Sequence, residues 1–145
     1  MTSLTSIRFD ASRAGDFSLM VNVGDRLSES GCTQVQVTGT GELTISHHGR
    51  EHEHKAQEPI HGEFARGQVA DLFGAALQID WEGKFPGRPG IPDEAIVEWT
   101  LRDGANRELR RKAWLRDVEK DAMMSRALKL LRTEVDRLSK GKLFL

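Results

Sequence analysis

The sequence predicts an α+β fold: an antiparallel β-sheet meander with a central helix, a β-hairpin and a long C-terminal helix packed on the sheet. Three observations carry this. Apolar and polar residues alternate through 17–23, 34–37 and 43–46, the period of strands with one buried face. The period lengthens at Ala65, Val69, Leu72, Phe73 and Ala76, whose three- and four-residue steps put them on one side of a helix. A second helical stripe of Met124, Leu128, Leu131, Val135 and Leu138 runs at 4-3-4-3 spacing near the end of the chain.

Taken in order, Ile7 and Phe9 stand two apart and read as a first short strand, followed by a turn at Arg13-Ala14-Gly15-Asp16. Phe17, Leu19, Val21 and Val23 then alternate with Ser18, Met20 and Asn22. Val35 and Val37 alternate with Gln34 and Gln36, and Leu43 and Ile45 with Thr44 and Ser46. Gly39-Thr40-Gly41-Glu42 and His48-Gly49-Arg50 supply turn chemistry between and after them. A helix is expected over 64–78, although Gly67 and Gly74 each weaken it by roughly 1 kcal/mol against Ala. Three of the four prolines fall in 84–93, too many for a helix or central strand, so a semi-rigid loop is expected there. Val97, Trp99 and Leu101 form the next strand, Asp103-Gly104 the turn, and Leu109, Ala113 and Leu115 the return strand of a hairpin. Asp117 is the expected N-cap of the final helix, with Glu119 in its first turn, and Arg137, Lys140 and Gly141 close it.

A chain of 145 residues with 38% apolar and 30% charged residues can bury one core, so 1–145 is read as a single domain. No apolar run reaches the roughly 18–20 residues of a membrane span. The opening MTSLTSIRFD lacks a basic stretch followed by an apolar one, so no signal peptide is expected. Cys32 is the only cysteine, which excludes an internal disulfide framework and fits a reducing, cytoplasmic setting. The net charge of −1 conceals an asymmetry. Residues 1–101 hold 8 Lys/Arg against 15 Asp/Glu, and residues 102–145 hold 13 against 7. One compact domain can bring these halves together, and exposed fields fade beyond about 8–10 Å.

Five histidines lie between His47 and His61 and nowhere else. With a two-residue loop at His48-Gly49 or Gly49-Arg50, His47, His52 and His54 would share the face of Leu43 and Ile45. Such a set could hold Zn²⁺ or another divalent transition metal, with Glu58 or His61 as a fourth ligand. His52, His54 and Glu58 also read H-x-H-x3-E, the first half of the cupin metal motif; the second half is absent. The alternative is a solvated, pH-sensitive hairpin tip. A lone Cys32 is more often an inert buried thiol than a nucleophile. No nucleophile elbow, phosphate-cradling glycine loop or H-E-x-x-H motif is present. A non-enzyme is therefore expected.

Arg107, Arg110, Arg111, Lys112 and Arg116, with Trp114 among them, could track a phosphate backbone. They fit an edge strand kept from mispairing by its charges better, so nucleic acid is not the expected partner. The final helical stripe could pair with a second copy, making a homodimer through the C-terminal helix, or dock on the sheet. The apolar tail ending in Phe144 and Leu145 could fold back or present a docking peptide.

The layout resembles small bacterial α+β proteins that include emfourin-type metalloprotease inhibitors. Ile7-Arg8-Phe9, Gly15, Gly39-Thr40-Gly41 before Leu43, Leu72-Phe73, Pro92-Asp93, Asp103-Gly104 and Leu130-Leu131 carry the resemblance. Ala14-Gly15 replaces the usual paired glycine, and the basic return strand and longer final helix also differ. The resemblance implies a non-enzymatic binding or inhibitory protein without assigning its target. The expectation is a single domain acting by protein–protein contact, with Phe85, Arg88 and Ile91 on the rigid loop and Phe144 and Leu145 at the tail as contact residues. Arg and Phe on a Pro-constrained loop lose little entropy on binding. Metal binding by His47, His52, His54 and Glu58 is the main rival, and nucleic-acid binding by the basic strand the second.

Overall fold

The computed structural model describes residues 17–24, 32–48, 59–83, 95–103 and 107–140. Strands β1 (Ser18–Gly24), β2 (Cys32–Thr38), β3 (Glu42–His48) and β4 (Ile60–Glu63) pair successively and antiparallel. Helix α1 (Arg66–Leu77) follows. Strand β5 (Ile96–Arg102) returns to the free side of β1, and β6 (Glu108–Trp114) pairs with it. The result is a six-stranded sheet in the order β4-β3-β2-β1-β5-β6. A short helix α2 (Leu115–Lys120) leads into α3 (Ala122–Ser139). The fold is α+β, with the expected antiparallel sheet and long C-terminal helix.

Register explains why one sheet face seals. Val21 lies between Val35 and Trp99, and Leu19 between Val37 and Leu101. All six side chains are 0% exposed. They meet Leu72, Phe73, Leu128 and Leu131 from α1 and α3 in one core, the two-layer solution for a sheet with one apolar face. Phe17 and Phe73 meet edge to face, their centroids 6.4 Å apart. The end of α3 crosses β4 at Gly62, where a Cβ would stand 2.5 Å from Leu138 Cδ1. The indole of Trp81 donates to Ala76 O over 2.9 Å and fastens the chain leaving α1.

The structure revises several expectations. Leu115 does not extend the return strand. The strand ends at Trp114 and the chain turns into α2. Asp117 sits inside α2, and the capping carboxylate of α3 is Asp121, whose Oδ1 accepts from Met123 N at 3.1 Å and Met124 N at 2.9 Å. Lys140, at φ 55°, takes the left-handed position that ends α3. Of the two uses expected for the helical stripe, docking on the sheet and pairing with a second copy, the first is seen: Met124, Leu128, Leu131 and Val135 are 0–3% exposed within one chain. No helix among the described residues is long and apolar enough to cross a membrane. The early strand at Ile7 and Phe9 and the Pro-rich 84–93 loop lie outside the described residues.

Asp121→Ala removes the acceptor for both orphan amides of α3, while the break between α2 and α3 persists. The expected loss is about 1 kcal/mol, typical of an N-cap, read as a lowered urea midpoint; an unchanged midpoint would mean water replaces the cap at no cost.

Candidate functional site

Among the described residues, helices cover one face of the sheet and nothing covers the other, called the open face, which residues of the opposite parity build. Met20 stands at its centre between Gln36 and Thr100, and Asn22 stands beside it between Gln34 and Glu98. Thr44 and Ser46 extend these rows over β3, and Arg110 and Lys112 extend them over β6. The middle of this face is polar and uncharged apart from Met20, and its charges stand to the sides. Gln34 Nε2 donates to Met20 Sδ at 3.0 Å. Asn22 Oδ1 is shielded from solvent and has no hydrogen-bond partner.

On the β5–β6 side, cations and carboxylates alternate. Glu108 Oε1 accepts from Arg102 Nε at 3.0 Å and from an Arg110 Nη at 3.3 Å. Lys112 Nζ lies 3.4 Å from Glu98 Oε1, and Arg107 Nε lies 2.7 Å from the buried Asp103 carboxylate. Asp103 N donates to Arg107 O and Arg107 N to Asp103 Oδ1, each at 3.1 Å, so these two residues close the hairpin; Gly104 of the expected Asp103-Gly104 turn lies outside the described residues. The five-residue basic cluster expected to track phosphates is thus divided. Arg110 and Lys112 are paired with carboxylates on the open face, Arg107 is held against Asp103, Arg111 has the parity of the helix side, and Arg116 lies in α2.

The Arg102 hydrogen bond, with help from Arg110, holds the Glu108 carboxyl below its ordinary value near 4.5 despite some desolvation. A carboxylate whose pKa falls on folding contributes stability above its unfolded value, and that contribution disappears as pH drops through the folded one. The stability gap between the wild type and Glu108→Gln is therefore expected to be small at pH 7 and to close below about pH 4.5. Thermal melts across that range check it; a gap that widens in acid would reverse the sign.

Of the five histidines, His47 and His61 are described with their side chains. Ile45 pairs with Ile60 on β4, which occupies the place where a two-residue loop would bring His52 or His54. His47 keeps the parity of Leu43 and Ile45, and its Nδ1 lies 3.0 Å from Thr33 Oγ1 at the rim of the core. His61 pairs with Thr44 on the open face, Nδ1 to Oγ1 at 3.4 Å. His47 and His61 are on opposite faces, so His61 cannot complete a ligand set with His47. His52, His54 and Glu58 lie outside the described residues, as do Phe85, Arg88, Ile91, Phe144 and Leu145. No three His, Cys, Asp or Glu side chains among the described residues are grouped to hold a metal ion. Cys32 is a free, buried thiol.

The sequence pattern gave these strands one buried face and gave the polar positions of β1, β2, β3 and β5 no role. Their signal was present as the polar half of each alternation, but nothing in one strand shows which polar positions become neighbours. Compared with known proteins, the sequence matches no family model and no curated protein. The likeness to emfourin-type inhibitors rests on the short motifs quoted above.

Proposed function

We propose that the chain is a non-enzymatic binding domain that acts by protein–protein contact, in an inhibitory or regulatory role, through the open face of its sheet. The distribution of charge on that face supports this reading. Protein interfaces are depleted of charge at the centre, enriched in Met, and ringed by polar and charged residues. Met20, Asn22, Gln34, Gln36, Thr44, Ser46 and Thr100 make such a centre, and Glu42, Glu63 and His61 on one side with Glu98, Arg102, Glu108, Arg110 and Lys112 on the other make such a rim. Five strand spacings of about 4.8 Å give a face roughly 24 Å wide, a scale suited to another protein. The paired charges at the β5–β6 rim offer no single-sign track for phosphates.

The test compares proteins retained by the immobilised wild-type chain with those retained by Met20→Lys, Thr100→Lys and Arg126→Glu. Arg126 lies on α3, away from the open face. The reading expects a partner kept by the wild type and Arg126→Glu and lost by both open-face variants. Equal retention by all four, or loss only with Arg126→Glu, would contradict it.

A further inference from the structure

Two buried N–H donors on directly paired residues of β5 and β6 have no acceptor among the described residues. Trp99 and Arg111 are directly paired in register. Their odd-numbered positions place both on the helix side, between Val97 and Leu101 on one strand and Leu109 and Ala113 on the other. Trp99 is 0% exposed, yet its Nε1–H has no partner, and neither does the solvent-shielded Nε–H of Arg111. Among the described residues, the Arg111 guanidinium makes one hydrogen bond, from Nη1 to Lys112 O. Gly83 makes room for that guanidinium: a Cβ there would stand 2.8–2.9 Å from its Nη2, Cζ and Nε.

Natural structures rarely leave buried donors unmatched, because each costs roughly 1–3 kcal/mol and a charged one more. A water molecule could accept from either N–H, but it would bring no negative charge to the half-buried guanidinium, which has no counter-charge among the described residues. A group with two acceptor oxygens and one negative charge answers both needs, and a planar carboxylate matches the guanidinium edge. A dianion such as phosphate would bring a second charge into this half-buried place, with no second cation among the described residues to meet it.

We propose that Trp99, Arg111 and Gly83 form a half-buried receptor for a small carboxylate anion, one oxygen accepting from the indole and the other from Arg111 Nε. This site is independent of the open sheet face, which lies on the other side of the sheet. Neighbours of Arg111 in sequence do not share the role, since Arg110 and Lys112 point to the opposite face and are paired there.

The test uses the full chain labelled with ¹⁵N and titrated with sodium acetate, with sodium chloride and inorganic phosphate as controls at matched ionic strength. The indole N–H of Trp99 and the Nε–H of Arg111 are expected to shift together and saturate at one dissociation constant. The indole of Trp81, bonded to Ala76 O, serves as a still reference. Gly83→Ala, which keeps the charge but displaces the guanidinium, is expected to abolish the saturable shift, with the rest of the spectrum showing that the fold remains. Shifts that only follow chloride, a saturable shift kept in Gly83→Ala, or tighter binding of phosphate than of acetate would each overturn the proposal.

Discussion

Gly41→Ala is expected to lower the stability of the chain by roughly 2–4 kcal/mol, from positive-φ strain and a backbone collision together. Gly41 has φ 99°, a conformation L side chains rarely adopt, and an added Cβ would stand 2.8 Å from Phe64 O. Phe64 cannot retreat cheaply, because its own N–H donates to Gly41 O over 2.8 Å and its ring lies in the core. This contact ties the β2–β3 turn to the chain entering α1, so the strain reaches two elements. Gly67→Ala is the matched control: nothing lies within 4 Å of its added Cβ, and the helix gains up to about 1 kcal/mol from the better helix former. Urea midpoints of the two variants should therefore move in opposite directions. A Gly41→Ala midpoint equal to that of the wild type would show that the turn can rearrange.

Leu131→Ala is expected to cost about 2–5 kcal/mol, the range for emptying a fully buried leucine site. Leu131 is 0% exposed and sits in the core with Leu72, Phe73 and Leu128. Leu130, next to it, is only half-buried, so Leu130→Ala should cost distinctly less. The comparison separates a helix docked on its own sheet from one paired with a second copy. In the docked arrangement the unfolding midpoint does not depend on protein concentration, whereas a folding-coupled dimer gains stability with concentration. Equal losses at both positions, together with a concentration-dependent midpoint, would restore the dimer seam.

Much of the architecture is legible because burial and period agree. Phe17, Leu19, Val21 and Val23 alternate with Ser18, Met20 and Asn22, and all four are buried. The α3 stripe announces its buried side in the same way. Strand β4 escaped notice because Ile60-His61-Gly62-Glu63 contains one large apolar residue. Its pairing comes from the β3 edge and from Leu138 packing over Gly62, neither of which a local pattern reveals. Leu115 misled for the opposite reason: it continues the parity of Leu109 and Ala113, yet the backbone turns helical there. Asp117 and Asp121 are equally good capping residues by type, and only the backbone path decides between them.

Candidate sites were less legible than the fold because they depend on register between strands. Five neighbouring basic positions read as one patch, but strand parity sends Arg111 to the helix side beside Trp99 and leaves Arg110 and Lys112 on the open face beside carboxylates. The open face follows the same rule. Met20, Gln36 and Thr100 are far apart in the chain and become one row only when β1 takes its place between β2 and β5.

Oxidative footprinting of Met20 tests the open-face reading most directly. Met20 and Met123 are both half-buried, the first at the centre of the open face and the second in the first turn of α3. Their sulfoxide yields can be measured by mass spectrometry for the chain inside cells and for the purified chain under the same oxidant dose. A partner seated on the open face predicts that Met20, relative to Met123, oxidises several-fold less in cells than in the purified protein. An equal Met20 to Met123 ratio in the two settings would contradict the assignment of that face to protein contact.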